Sequence, residues 1–210
     1  SAQLGARWAR RDPPPAAMLE QTLRTIDAAA SRLNRILDTI MDSARIARGV
    51  LAPQRAETDL GALTREVVRH HQAQTHRHRI VLHAPRRRIT GEWDEALLER
   101  AVENLVGNAV KYSPEGGRID VTCAREGQLA RLSVRDQGVG IPADALPHLF
   151  TRFYRARNVA MGEIEGNGLG LFTVKGIVEA HGGRVEVWSE EGVGTEVTVW
   201  LPLHTQGEQA

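Results

Sequence analysis

Apolar side chains recur along the first quarter of the chain in alternating steps of four and three: Leu19, Leu23, Ile26, Ala30, Leu33, Leu37, Ile40 and Ala44. This 3.5-residue period, free of glycine and proline from about Ala16 to Arg48, predicts one helix of a coiled coil or helix bundle. Some 31 residues of helix would run for roughly 46 Å. A helix with a single apolar stripe is not stable alone and must pack on partners. Upstream, Pro13, Pro14 and Pro15 cannot lie inside a helix, because proline lacks the amide donor. Leu4 and Trp8, four apart, fit the last turns of a preceding helix, so the stretch reads as a helical hairpin with a shortened first arm.

Gly49 and Pro53 end that pattern. Asp59 can cap a second helix carrying Leu60, Leu63, Val67 and His71. A short strand follows from Arg79 to Ala84, and another over Arg88, Ile89 and Thr90. Asp94 caps a helix with Leu97, Leu98, Val102, Leu105 and Val106, ending near Tyr112. Ile119, Val121 and Cys123 alternate, as do Ala130, Leu132 and Val134, which predicts a hairpin. After Asp136 the chain is irregular and glycine-rich until Gly170. A helix then runs from about Leu171 to His181, stopped by Gly182 and Gly183, and two strands near 184–190 and 194–201 close the pattern. The fold class is α/β: a two-layer sandwich, its mixed sheet mostly antiparallel with helices on one face, preceded by the helical-hairpin segment. Residues 1–52 form the helical part, 53–204 the α/β domain and 205–210 a polar tail.

Composition adds exclusions. Across 210 residues, 41% are apolar and 25% charged, ordinary for a globular chain, and the net charge of +1 gives no overall footprint for nucleic acid or an anionic membrane. One cysteine rules out an internal disulfide framework. No apolar run approaches the roughly 18–20 residues that span a bilayer, and Ser1, Ala2 and Gln3 carry no leader pattern. Lys111 and Lys175 are the only lysines among 27 basic side chains.

Four segments carry candidate chemistry. Asn104, Asn108 and Lys111 share one helix face, with Tyr112 beside them. Two carboxamides and an ammonium suit a hydrated Mg²⁺ with phosphates, although a polar face that merely meets water has the same spacing. Asp136, followed by Gly138, Gly140, Ile141 and Pro142 after a strand, suits a carboxylate that accepts from an adenine amino group, or a plain surface turn. Gly166, Gly168, Leu169, Gly170 and Leu171 open a helix whose backbone amides could face phosphate oxygens. This is not a P-loop, since no G-x-x-x-x-G-K-[ST] occurs. Gly192, Val193, Gly194 and Thr195 fit a hairpin turn. The stretch between the second and third segments is long and irregular, as lids are, with Phe150, Arg152, Phe153, Tyr154 and Arg155 in its middle.

In this order the four segments resemble the ATP-binding domain of bacterial two-component sensor histidine kinases. Residues 104–112 are similar to that family's asparagine box, 136–142 to its first glycine box and 149–155 to its phenylalanine box; 166–171 and 192–195 are similar to the remaining glycine boxes. The resemblance extends to the heptad helix, which is similar to the family's dimerisation hairpin. It implies the α/β sandwich shared with gyrase-type and chaperone-type ATPases, with ATP and Mg²⁺ as cofactors. It implies that Asn108 holds the metal with Asn104 assisting, that Lys111 neutralises phosphate charge, and that Tyr112 lines the pocket. By the same resemblance Asp136 accepts the adenine amino group, Gly138, Gly140 and Ile141 shape the pocket, and Thr195 closes its purine end. Arg155 would reach the γ-phosphate, and Gly166, Gly168, Leu169, Gly170 and Leu171 would form the lid hinge and helix start. Asn104, Lys111 and Arg155 are thus the expected catalytic residues.

The implied reaction is transfer of the γ-phosphoryl group to a histidine, then to an aspartate on the receiver domain of a response regulator. A homodimer through the helix bundle, a cytoplasmic location and no nucleic-acid or membrane contact for these residues are also implied. In related ATPases a glutamate four residues before the metal asparagine activates water. Here that place is Asn104, a poor base, and Glu103 is rotated about 100° away. The family's acceptor histidine, with its arginine–proline signature, is absent: no histidine precedes His70. The chain is therefore expected to start downstream of it and not to label itself. His70, His71, His76 and His78 are expected at a solvated helix end, Arg86, Arg87 and Arg88 in a solvated turn, Cys123 in the core, and Trp93, Trp188 and Trp200 packed on the sheet.

Overall fold

Asp59 and Asp94 each stand where the backbone is extended and the next residues are helical, and each carboxylate caps the helix it precedes. Asp59 Oδ1 accepts from the Gly61 and Ala62 amides, and Asp94 Oδ1 accepts from the Leu97 amide. A computed structural model describes residues 16–160 and 166–204. The expected first arm at Leu4 and Trp8, the proline turn at 13–15 and the tail 205–210 lie outside the described residues.

The chain forms two compact units, 1–42 and 43–210. Helix α1, Ala16–Ala47, belongs to the first for most of its length. The seam expected there is on the surface of this single chain: Leu19, Leu23, Ile26, Leu37 and Ile40 are all exposed.

The second unit holds β1 (Ala56–Asp59), α2 (Leu60–Gln74), β2 (His78–His83), β3 (Thr90–Trp93) and α3 (Glu95–Lys111). It continues through β4 (Gly117–Glu126), β5 (Leu129–Arg135), α4 (Arg157–Ala160), α5 (Gly170–Ala180), β6 (Arg184–Glu190) and β7 (Gly194–Pro202). Five strands form one sheet in the order β2-β4-β5-β7-β6, parallel only at β2–β4, and β1 pairs with β3 in a separate ribbon. The alternation read from the sequence is the burial pattern. Ile119, Val121 and Cys123, with Ala130, Leu132 and Val134, turn inward and join Val197, Val199 and Leu201. They share one core with the apolar faces of α2, α3 and α5, such as Leu63, Val102, Val106, Val174 and Ile177. This is the mixed, mostly antiparallel sandwich expected.

Some elements differ from the sequence expectation. Ribbon strand β1 was not expected, because Ala-Glu-Thr-Asp has no apolar run; it is held by its register with β3 and by the Thr58 hydroxyl, which donates to the Trp93 carbonyl at 3.2 Å. Strand β3 starts at Thr90 because Arg88 and Ile89 are engaged with the start of α2: Arg88 Nε reaches Asp59 Oδ2 at 3.0 Å, and the Ile89 carbonyl accepts from the Leu60 amide. The histidine group does not behave uniformly. His70 and His76 are exposed, whereas His78 is buried, with its Nε2 2.8 Å from the Ser113 carbonyl and its Nδ1 2.7 Å from Thr75 Oγ1. Trp93 is buried, but Trp188 is 52% exposed on β6, 6.0 Å from the Arg135 guanidinium.

Candidate functional site

Helix α3 sorts its residues by period. Ala101, Val102, Leu105, Val106 and Ala109 face the core, which leaves Asn104, Asn108, Lys111 and Tyr112 half-buried on the other side. Asn104 Nδ2 donates to the Arg100 carbonyl at 2.8 Å, so its Oδ1 is the atom presented outward. That oxygen meets the first residue of α5. A Cβ at Gly170 would lie 3.2 Å from Asn104 Oδ1 and 3.5 Å from Asn108 Nδ2. Both carboxamides therefore converge on the N-terminus of α5, where the N-cap residue Leu169 offers no side-chain cap and its own amide donates to Asn167 Oδ1 at 3.2 Å. Uncapped amides at a helix start carry partial positive charge and suit an anion.

Lys111 completes this end. Its Nζ lies 3.2 Å from Tyr112 Oη and 4.7 Å above the Tyr112 ring, and a Cβ at Gly166 would come within 2.4 Å of it. Among the described residues no carboxylate pairs with Lys111. Glu103 points elsewhere: its Oε2 is 2.8 Å from His71 Nε2 on α2. Rotation around the helix thus separates Glu103 from Asn104, as the sequence led one to expect.

Asp136, at the end of β5, is 8% exposed. Its Oδ1 accepts from the Gly138 amide at 2.9 Å and the Thr195 amide at 3.2 Å, leaving Oδ2 as the open acceptor. Burial pushes this carboxyl above its ordinary range, and the two backbone donors oppose that rise without cancelling it. The loop that follows must approach other backbone closely. A Cβ at Gly138 would sit 2.1 Å from the Tyr112 carbonyl oxygen; one at Gly140, where φ is +64°, would sit 1.9 Å from the Glu190 carbonyl oxygen. The Val139 amide donates to the Tyr112 carbonyl at 3.0 Å, and the Ile141 amide donates to Ser189 Oγ at 2.9 Å. Ser189 Oγ in turn lies 2.8 Å from Thr195 Oγ1. Tyr112, Val139, Ile141 and Tyr154 pack around Ala145, Ala156 and Val159 to form an apolar wall beside Asp136.

The irregular stretch contains a 3-10 turn at Leu146–His148 and the single turn α4. Its middle is stitched to the glycine segment: the Phe153 amide donates to the Gly168 carbonyl at 3.0 Å, and Phe153 itself has φ +65°. Leu169 is buried and Leu171 packs on the main core, so this segment anchors α5 as well as starting it. Arg155 Nη2 donates to the Val159 carbonyl at 2.8 Å, which turns this guanidinium toward the lid's own backbone.

The expected residues thus fall into two groups joined by Tyr112. Asn104, Asn108, Lys111, Gly166 and Gly170 gather at the start of α5; Asp136, Gly138, Gly140, Ile141 and Thr195 gather at the β6–β7 hairpin. Two residues escaped the sequence reading. Ser189 ties Ile141 to Thr195, and Asn158 Nδ2 donates to the Gly140 carbonyl at 3.0 Å. Only the hairpin register, which sets Ser189 opposite Thr195, signals the first. Nothing in the sequence signals the second, because α4 has no periodic pattern.

Residues 93–205 match the family model described as histidine kinase-, DNA gyrase B-, and HSP90-like ATPase. An uncharacterized sensor-like histidine kinase of Rhizobium meliloti is 34% identical over 186 residues, covering 87% of this chain and 35% of that protein. The sensor histidine kinase WalK of Bacillus subtilis is 38% identical over 126 residues, covering 59% of this chain and 21% of WalK. Full-length ShkA, solved in complex with AMPPNP, superposes with a TM-score of 0.68 at 27% identity, over 89% of this chain and 39% of ShkA. The chain therefore spans about a third or less of the curated relatives named. Among the described residues no helix is long and apolar enough to cross a membrane. The chain belongs to the family of histidine kinase-, DNA gyrase B- and HSP90-like ATPases, and within it to the ATP-binding catalytic domains of sensor histidine kinases.

Proposed function

We propose that this domain, residues 53–204, delivers the γ-phosphoryl group of ATP to a histidine on the helix bundle of its parent protein, for relay to the receiver aspartate of a response regulator. The observation that carries the reading is the spacing of two chemically distinct ends on either side of Tyr112. A buried carboxylate suited to a purine amino group lies at one, and two carboxamides, a lysine and a bare helix start lie at the other. Asp136 Oδ2 takes the exocyclic amino proton donor, with Gly138, Gly140, Ile141 and Thr195 forming the walls. Lys111 and the amides at Gly170 and Leu171 meet the phosphates, while Gly166, Gly168 and Leu169 let the lid swing. Arg155 turns from the Val159 carbonyl toward the γ-phosphate when the lid closes. Phosphoryl transfer needs position and charge compensation more than protein covalent chemistry, which this set supplies.

Mg²⁺ fits the donor set. Asn108 offers one hard amide oxygen beside the α5 terminus, with Asn104 a turn away, and no group of three His, Cys, Asp or Glu among the described residues forms a rival cage. Asn108, with Asn104 assisting, would hold such an ion, which would shield the phosphate charge. Asn104 cannot act as a general base and Glu103 is committed to His71, so transfer to a protein side chain is favoured over hydrolysis.

The 1–52 segment serves in this reading as part of a dimerising bundle on the cytoplasmic side of the membrane. The test is incubation with γ-labelled ATP and Mg²⁺. The 210-residue chain is expected to bind nucleotide without acid-labile labelling, and the longer parent chain to acquire acid-labile phosphohistidine. Label on the 210 residues, or none on an ATP-saturated parent, would overturn the reading.

A further inference from the structure

The net charge of +1 conceals a local concentration of cations. Residues 65–88 contain seven arginines and a single acid, Glu66, and they build α2, the sheet-edge strand β2 and the loop after it. The acids at this end of the sheet are already engaged. Asp59 pairs with Arg88, Asp120 with Arg118 and His83, and Glu126 with Arg131. Among the described residues, Arg65, Arg86, Arg87 and Arg125 pair with no carboxylate. Arg86 and Arg87 are exposed and follow Pro85 directly.

The sheet has an unfilled place at the same end. Strand β2 pairs with β4 only from His78↔Gly117 to His83↔Thr122, while β4 continues to Glu126. Pairing stops at His83, so among the described residues no strand lies beside 123–126 of β4 on that side. A cleft of about 690 Å³ occupies the gap, lined by Leu82, Ala84, Pro85, Cys123 and Arg125 among others. It is remote from the nucleotide groups. Gly117, at the other end of β4, lies beside Gln137, and eight residues of strand separate it from Arg125 by roughly 26 Å.

We propose that this open half of β4 is a docking site for an extended acidic segment of a partner protein. The segment adds as a strand beside residues 123–126, with its carboxylates against Arg86, Arg87 and Arg125. Main-chain hydrogen bonds to an exposed sheet edge give affinity without demanding sequence, and alternate side chains give specificity. Apolar residues of the segment would face Leu82 and Pro85 along the cleft, and acidic residues would face the arginine rim. Unpaired like charges around a cleft raise the local concentration of an oppositely charged partner and its rate of arrival.

The probe is a fluorescent peptide of about seven residues, a usual strand length, alternating glutamate and valine. It is titrated into the 210-residue chain and followed by anisotropy and by amide chemical shifts. Saturable binding is expected at about 50 mM salt and its loss at about 500 mM, where charges are screened beyond a few ångströms. Arg86→Glu with Arg87→Glu, both in an exposed loop, is expected to weaken it about tenfold while melting temperature and ATP binding stay unchanged. Amide signals at 123–125 are expected to shift, and those of Asn108 and Asp136 to stay. The same peptide methylated on alternate backbone nitrogens should not bind, because it cannot pair with a strand edge. Equal binding by the methylated peptide, displacement by ATP with Mg²⁺, tighter binding of a single-stranded oligonucleotide, or no binding at low salt would each overturn the proposal. ATP binding in the same samples reports separately on the catalytic site.

Discussion

Glu103 and His71 are joined side chain to side chain, Oε2 to Nε2 at 2.8 Å, and so hold α3 against α2 on the side away from the nucleotide groups. The one carboxylate adjacent to Asn104 is thereby spent on helix packing. Glu103→Gln is expected to leave ATP affinity and phosphate release unchanged and to lower stability by at most about 1 kcal/mol, the range of half-exposed ion pairs. Steady-state phosphate assays and thermal melts check this. A collapse of turnover in Glu103→Gln, with turnover surviving in Asn104→Ala, would make the domain a hydrolase.

Asn108→Ala is expected to weaken Mg²⁺-dependent ATP binding about tenfold or more, since a contact to a charged group is worth roughly 1.5–3 kcal/mol. Binding measured in EDTA should fall much less. Calorimetric titration with and without Mg²⁺ separates the two; equal losses in both would remove Asn108 from the metal.

Asp136 is buried with its carboxyl raised, so in the ligand-free protein its ionised form is costly. For an acid whose folded value exceeds the unfolded 3.8, the folded state holds the extra proton, and stability is lost as pH rises from 3.8 through the folded value. Asp136→Asn keeps the Oδ1 acceptor for Gly138 and Thr195 but removes that cost. The variant is expected to melt higher than the parent at pH 7, by a margin that shrinks as pH falls toward 3.8. Its ATP affinity should fall nonetheless. A variant less stable than the parent at pH 7 would refute the electrostatic part of this account.

His181 closes α5 against the start of α3. Its Nδ1 lies 2.8 Å from the Ile177 carbonyl and must carry the proton, so Nε2 accepts from the Asp94 amide at 3.0 Å. Burial holds its pKa below the ordinary 6.5, so the unfolded chain binds the extra proton first. Stability should be complete above pH 6.5 and decline as pH falls below it, until the folded histidine also protonates. His181→Gln is expected to flatten that decline, at a cost of about 1–3 kcal/mol if the Asp94 amide is left unpaired. Melts between pH 5 and pH 8, roughly the histidine range, read both effects.

Gly176 on α5 receives Ile46 from the last turn of α1: a Cβ there would lie 2.4–2.7 Å from three Ile46 side-chain carbons. Gly176→Ala is expected to cost about 1–3 kcal/mol from overpacking, despite its better helix propensity. Ile46→Ala should relieve most of that cost, and a double-mutant cycle of melting free energies measures the coupling. Additive effects would mean that the two residues do not meet.

Much of this was legible because it is periodic or local. The 3.5-residue seam gave α1, alternation gave β4 and β5, and Asp59 and Asp94 announced their helices. Spacing alone placed Asn104, Asn108 and Lys111 on one face of α3, and the resemblance to sensor histidine kinases, not the spacing, implied a nucleotide role for that face. What stayed hidden depends on pairs distant in sequence. Strand β1 exists through its register with β3; His78 is buried because it reaches the Ser113 carbonyl 35 residues away. The Ser189–Thr195 and Asn158–Gly140 contacts form only after the hairpin and lid are placed. Side-chain direction was equally out of reach: Arg155 stands in the expected segment, but its bond to Val159 belongs to the folded lid.

Tyr112 touches both ends of the site, with its carbonyl accepting from Val139 and its hydroxyl beside Lys111 Nζ. In the proposed reading this one residue would act as a gauge between the base and the phosphates. A nucleotide whose ring displaced the 138–140 turn would shift the Tyr112 carbonyl, and with it Lys111. A wrong base would then be felt as misalignment at the reacting end as well as weaker binding.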